Sequence, residues 1–388
     1  MTLTERDHFH GERSPLTASL VALAAIVMMG CGNGSARPSG AKFEPLGAPT
    51  SIESTGAEGV SADGRTVVGW GGPVPFRGVP STVALIWDES GEVIELGVPG
   101  RAKQSSSDGT IIAGDRLYQV VDRFLPILTR AFRWSASLGP QSLVPDEGYP
   151  IAFSVSAMSA DGSTIVGPAL EPRQIEAYRW DLDSGLSLLP RLDRDANHVP
   201  SAITPDASSV IGYLNACGTA SPDRESTGIR WDRAGSITIL PAVAGLCECM
   251  TTDVSRDGKG VVGTCDDQSP NTYDAPSAVR WYEEVGEILP MVDDERGSFA
   301  FATSADASVV VGTAFVNDAR YAFVWNASAG KRLLADLLSD AGVDIPSGWV
   351  LAEGVDVSDD GRVVVGTALL PDGRTTAFRA TIPQRVQP

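Results

Sequence analysis

Few residues in this 388-residue chain combine a type and a spacing that would do chemistry. There are three histidines, and His8 and His10 fall in the leading segment. His198 is therefore the one base available to a Ser/His/Asp arrangement, and no serine sits in a nucleophile-elbow motif. We expect His198 to be a loop residue. Phosphate loops and dinucleotide fingerprints are absent from the sequence. Carboxylates are plentiful, but seven of the aspartates recur at fixed spacing, and an active site is needed only once. The expectation is no catalytic residue, no cofactor and no metal. Asp266-Asp267 and Asp293-Asp294-Glu295 are the candidates for Ca²⁺, but no twelve-residue calcium loop surrounds them and solvated loop charge is the simpler reading. Four cysteines, Cys217, Cys247, Cys249 and Cys265, form an even set that fits two disulfides in an oxidising compartment, with three connectivities open. A two-residue turn at Asp257-Gly258 sets Met250 opposite Cys265, whereas a three-residue loop sets Cys249 there. We take Cys249–Cys265 with Cys217–Cys247. Their spacing does not suit a zinc ribbon.

The element that must position all of these is one stretch written seven times. Its clearest copy is Asp356-Val357-Ser358-Asp359-Asp360-Gly361-Arg362-Val363-Val364-Val365-Gly366. The turn aspartates are Asp63, Asp108, Asp161, Asp206, Asp257, Asp306 and Asp360, about 50 residues apart, and a glycine follows each six residues later. A β-branched pair such as Val67-Val68 or Val261-Val262 lies between, which predicts a short strand buried on both faces. Asp-Gly is turn chemistry. Because Ala207 and Ala307 replace the glycine in two copies, the turn is expected not to demand a left-handed residue and to be of type I.

A second motif alternates with the first, as in Ala131-Phe132-Arg133-Trp134, Ala177-Tyr178-Arg179-Trp180 and Ala278-Val279-Arg280-Trp281. A glycine and an apolar segment ending in leucine follow. Each unit thus holds four strands, a to d. Four strands at this period fit a propeller blade, and β-helix coils are shorter. The fold class expected is all-β, a seven-bladed β-propeller of four-stranded antiparallel blades spanning 43–383, with one short helix near the C-terminus over 331–341. Leu333, Leu334, Leu337, Leu338 and Ala341 form that helix's apolar stripe. The last unit lacks its fourth strand, and Phe43-Glu44-Pro45-Leu46-Gly47 is the segment expected to supply it and close the ring.

The alternation of Ala-Phe-Arg-Trp with Val-Ser-Ala-Asp-Gly and Val-Val-Gly resembles the HAF-repeat family of bacterial extracellular proteins over about residues 43–382. Leu333 to Leu338, Ala341 to Asp344 and Gly348-Trp349 are similar to the closing module of that family. Departures are Ala207 and Ala307 in the turns, Ala380 where Trp is usual, and the irregular Ser105-Ser106-Ser107-Asp108. The resemblance implies export and brings no assigned activity.

Residues 1–31 are expected to be a lipoprotein signal peptide. Leu20 to Met29 is apolar, and Met28-Met29-Gly30-Cys31 resembles a lipobox, which would make Cys31 the lipidated residue. The run is shorter than the roughly 20 residues of a spanning helix. The segment before it mixes Arg6 and Arg13 with Glu5, Asp7 and Glu12. Residues 32–42 form a Gly/Ser-containing flexible tether. Gly32 after the cysteine fits outer-membrane sorting, on either the periplasmic or the surface side. With 49 acidic against 30 basic residues the formal charge is −19, which excludes nucleic acid as a partner.

In a four-stranded meander the a–b and c–d turns share one face of the disc. The longer, more varied b–c and d–a connections share the other, and such connections carry function. The candidate binding face there comprises Trp70, Phe76, Arg77, Tyr118, Phe124, Tyr213 and Tyr273. The expected function is a non-enzymatic binding or scaffold module for an envelope protein or glycan, held to the membrane by its lipid anchor. The alternative is a polysaccharide hydrolase or lyase using acidic loop residues.

Overall fold

The computed structural model describes residues 40–383, except 77–78, 119–127, 145–150, 172–173, 194–195, 216–225, 244, 267–275 and 284. Cys31, Arg77, Phe124, Cys217 and Tyr273 lie outside the described residues. Apart from one short helix the regular structure of the described chain is strand, arranged as antiparallel meanders in which strands mostly pair with their sequence neighbours. Repeat 4 is typical, with strands Asn197–Ile203, Ser209–Asn215, Thr227–Asp232 and Ile237–Ile239. Repeats 1 and 2 share one seven-stranded sheet. Its long strand Val93–Ser105 is the outer strand of the first and the inner strand of the second. In repeat 7 the outer strand comes from the other end of the chain: Lys42–Pro45 pairs with Thr375–Thr381, Phe43 opposite Ala380. The expected closure is present.

The core is divided among the interfaces between consecutive repeats. The β-branched pair explains how. Val67 is buried against repeat 7 with Val365 and Ala377, and Val68 against repeat 2 with Ile112 and Phe132. Val261 and Val262, and Val364 and Val365, divide the same way. Alternation along a strand sends one residue to each side, so the second strand of each repeat is apolar on both faces. The circuit of contacts returns from repeat 7 to repeat 1.

The turn is a hydrogen-bonded unit repeated seven times. A serine or threonine hydroxyl donates to the turn aspartate at 2.6–2.8 Å. The same oxygen accepts an amide from across the hairpin at 2.8–3.0 Å. The aspartate also accepts the amide two residues on at 2.9–3.0 Å. The next residue is left-handed in every copy, including Ala207 (φ 55°) and Ala307 (φ 57°). This corrects the sequence expectation: the position does demand positive φ, and the two alanines adopt it at a cost of about 1 kcal/mol each.

Strand a carries a bulge ahead of the turn, at Thr252 in repeat 5. The bulge pushes a carbonyl against the following strand, where a Cβ at Gly366 would lie 1.8 Å from the Glu353 oxygen and one at Gly263 2.3 Å from that of Met250. That contact accounts for the glycine six residues past each turn. It also sets the disulfide. The hairpin closes as if on a two-residue turn, and the Thr252 bulge shifts the register by one to place Cys249 opposite Cys265, to which it is bonded. Cys247 is half-buried beside the Asp266 carbonyl.

The C-terminal helix covers Leu334–Asp340, burying Leu334 and Leu338 in the core between repeats 6 and 7. It is shorter than expected because Gly330–Leu333 forms the outer strand of repeat 6. None of the described helices is long and apolar enough to cross a membrane. Glu295, expected to be solvated, is instead fully buried with Lys331 at 2.6 Å.

The turns interlock by size. Gly64 sits against Val363 of the preceding repeat, and Gly361 against Val309; where the turn residue is Ala307, the preceding repeat has Gly260, whose Cβ would lie 2.2 Å from that of Ala307. Gly260→Val should therefore destabilise by about 1–3 kcal/mol through overpacking. Adding Ala307→Gly should restore most of the loss. Chemical denaturation of the two single variants and the double variant tests this, and additive losses would disprove the contact.

Candidate functional site

Most of the repeated polar side chains are occupied in joining neighbours. The motif arginines reach the carbonyl of the left-handed residue in the next turn: Arg133 to Gly162 at 2.9 Å, Arg179 to Ala207 at 3.0 Å, Arg230 to Gly258 at 2.6 Å and Arg280 to Ala307 at 3.1 Å. Arg379 binds the Arg65 carbonyl across the ring closure at 3.2 Å. The indoles of Trp87, Trp231 and Trp281 donate to the carbonyls of Gly47, Pro190 and Pro241 at the end of the preceding outer strand. What remains for function is where the repeats differ.

One such place is the axis. A backbone belt encircles it: Ser107 donates to Ala160, Ala160 to Pro205, Arg256 to Ala305, Ala305 to Asp359, and Asp359 to Ala62, at 2.8–3.0 Å. It is open after Pro205, which has no N–H to give, and between Ala62 and Ser107. Inside lies a channel of about 140 Å³ lined by all seven repeats. Four residues before the turn aspartate the chain has Gly59, Gln104, Ala157, Ala202 and Ala302, but Asp253 in repeat 5 and Asp356 in repeat 7. The carboxylate of Asp253 accepts the Thr303 amide at 2.8 Å. That of Asp356 accepts the amides of Val60 and Val357 at 2.8 and 2.7 Å. Each clips its repeat to the next. Burial raises both acids, Asp253 to about 6 with help from Asp359, and Asp356 to about 7 with help from Asp253 and Asp359. Arg256 and Asp359 form an ion pair beside them. The sequence signal was the inequality of one repeat position, which a search for recurrence passes over.

The second place is a groove of about 520 Å³ where repeats 6, 7, 1 and 2 meet. Trp70, half-buried, lies over Gly56, which must lack a Cβ because one would come within 2.7 Å of the ring. The Arg101 guanidinium covers the indole at 5.1 Å and pairs with Glu58 at 2.9 Å. Burial raises the Glu58 carboxyl against the pull of Arg101. Arg320 pairs with Glu353 at 2.6 Å in the same lining.

Of the expected binding-face residues, Trp70 reaches this groove. Phe76 and Tyr118 end the strands Val67–Phe76 and Ile111–Tyr118, and their side chains lie outside the described residues. Tyr213 lies in strand Ser209–Asn215, half-buried, and burial raises its hydroxyl. The connections expected as loops are thus partly extended strand. His198 is also no loop residue. It is 1% exposed in strand Asn197–Ile203, and its Nε2 accepts the Leu192 amide at 3.0 Å. Burial lowers its pKa.

No protein-family model matches the chain, and no curated protein is detectably similar in sequence. Solved structures do match in shape. The β-propeller domain of the Trilobed protease from Pyrococcus furiosus superposes with TM-score 0.57 at 10% identity, over 86% of this chain and 97% of that one. Oligogalacturonate lyase from Vibrio parahaemolyticus gives 0.55 at 14%, over 89% and 98%. TolB from Acinetobacter baumannii gives 0.44 at 14%, over 84% of this chain and 65% of TolB. At these identities the likeness to the first two shows the fold alone, a β-propeller.

The channel acids give a pH dependence of known sign. Folding raises both pKa values above the roughly 3.9 of an unfolded aspartate, so the native state binds more protons between about pH 4 and 7. Stability is therefore gained as pH falls through about 7 and 6, and lost as it rises again. His198 works oppositely below about 6.5. We expect urea midpoints to fall from pH 6 to pH 8, and Asp356→Asn to flatten that limb. An unchanged slope in the variant would show that these acids do not titrate there.

Proposed function

We propose that this chain is an exported, lipid-anchored propeller of seven blades that serves as a non-enzymatic binding module in the bacterial envelope. The blade count takes the seven-stranded sheet as two blades joined through Val93–Ser105, in step with the seven turn aspartates. Cys31 carries the lipid, residues 32–42 are the tether, and the domain spans 43–383. The acidic surface keeps nucleic acid away.

The observation that carries the binding reading is the Trp70 groove. It combines an aromatic side chain, two arginines and concave walls at a junction of four repeats, and its polar groups lie outside the repeated inter-blade contacts. Aromatic and arginine side chains are the usual anchors of binding surfaces. The partner class is an envelope protein or glycan.

A second reading is favoured by the channel carboxylates: a hydrolase or lyase acting on envelope polysaccharide. Glycoside hydrolysis uses two carboxyl groups about 5–10 Å apart, one with raised pKa, and two of the structural neighbours are oligogalacturonate lyases. The acids here also hold backbone amides, a structural task that leaves less of each carboxylate for a substrate.

The test immobilises the purified full chain in mild detergent against solubilised envelope, beside a variant carrying Trp70→Ala, Arg101→Gln and Arg320→Gln. A partner retained by the first and lost by the second is expected. Retention of nothing, together with polysaccharide cleavage abolished by Asp356→Asn, would replace this reading with the enzymatic one. For the anchor, Cys31→Ala should move the chain from the membrane to the soluble fraction, with palmitate labelling lost. Labelling that persists in the variant would rule out Cys31.

A further inference from the structure

We infer that the Trp70 groove seats an uncharged, polyhydroxylated ligand, a short segment of neutral oligosaccharide. This rests on the binding-module reading of the same face.

The wall of the groove follows the ring through four repeats as Arg320, Glu353, Glu58 and Arg101. The two ion pairs, Arg320 with Glu353 at 2.6 Å and Arg101 with Glu58 at 2.9 Å, set a guanidinium beside a carboxylate twice in the lining. A guanidinium carries five N–H donors in one plane, and a carboxylate about four acceptor sites. Each pair uses few of these. The groove therefore offers planar donors and planar acceptors side by side, in two copies. Vicinal hydroxyls, each both donor and acceptor, answer that pattern.

Charge excludes the other classes. Asp318 is paired with Arg296, both groove arginines are already paired with glutamates, and the chain is at −19, so an anionic ligand meets no unpaired cation in the lining and is repelled. A cation would find both glutamates already neutralised by arginine. A purely apolar ligand would strip water from five charged groups with no hydrogen bond in return. The remaining surface suits the C–H face of a sugar: Leu369 is 42% exposed in the groove, beside Val350 and Ala352, and the edge of Trp70 borders it. The volume of about 520 Å³ lies within the range of small-ligand sites, about 300–1,000 Å³.

The experiment titrates the full chain with cellotetraose, chitotetraose and maltotetraose, and with tetragalacturonate as the anionic comparator. Calorimetry is followed together with tryptophan fluorescence. At least one neutral tetrasaccharide should bind with Kd below about 1 mM, and tetragalacturonate at least tenfold more weakly. Trp70→Phe and Arg320→Gln should each weaken binding about tenfold or more. Arg320 is largely exposed (side chain 59%), so its variant keeps the fold even where a change at Trp70 does not, and circular dichroism confirms this. The inference is overturned if tetragalacturonate binds as tightly as any neutral sugar. It is equally overturned if neutral binding survives both variants, or if no neutral tetrasaccharide binds at 10 mM. In that last case, a protein partner captured by the full chain and lost with the groove variants would keep the binding-module reading while ending this one.

Discussion

The structure depends on a hydroxyl and a carboxylate two residues apart. In each a–b turn the serine or threonine hydroxyl donates a hydrogen bond to the aspartate and accepts one from an amide of the opposite strand. Both turn oxygens are thereby committed, and the backbone between them has one path, which ends in a left-handed residue. That residue's carbonyl is turned toward the preceding repeat, where a motif arginine binds it in four repeats. One local network thus fixes the hairpin and presents the contact that joins it to its neighbour. The bulge on the same strand completes the unit by pressing a carbonyl onto the obligatory glycine.

Most of this fold was legible in the sequence because the physics of one unit is printed seven times. The buried β-branched pair, the four-strand meander and the closing segment at Phe43–Gly47 were all readable from spacing. The errors have separate physical causes. Substituting alanine for glycine in two turns suggested that positive φ was optional, whereas the hydroxyl–carboxylate network is strong enough to impose it on Ala207 and Ala307. The disulfide partner was identified, but through loop length, when a bulge fourteen positions before Asp266 sets the register. Bulges leave no residue signature beyond the glycine they press against. The Lys331–Glu295 pair was invisible for a related reason: its members come from the first and last strands of one repeat, and nothing local marks either as buried.

The candidate site was less legible, and symmetry explains why. Recurrence identifies what every repeat needs, and here that is adhesion to the next repeat. Function must reside where a position departs from its six counterparts. Asp253 and Asp356 depart from glycine, glutamine and alanine on the innermost strand. Trp70 stands where the other repeats carry Asp115, Pro168, Tyr213, Thr264, Thr313 and Thr367 after the repeated glycine, so repeat 4 alone among them also places an aromatic ring there. In repeat 2 the residue at that position, Asp115, serves adhesion, accepting the Val155 amide of the next repeat at 2.8 Å. In repeat 1 the position is released from that duty, and the indole lies beneath an arginine at the edge of an open groove.

The two departures differ in what they cost the fold. An acid on the axis is buried among other acids, and its ionised form is tolerated only because a neighbouring amide points at it. Removing the charge should help stability, so its retention needs a reason outside folding or lies in the clip itself. The groove imposes no such penalty. Its charges are paired and its tryptophan rests on a glycine shaped to receive it. A surface that is assembled from four repeats, with its charges paired but donor and acceptor sites still open to solvent, needs little ordering when a ligand enters it. That difference is why binding at the groove is the stronger functional reading, and why the channel acids are better understood first as part of the ring that holds the groove in shape.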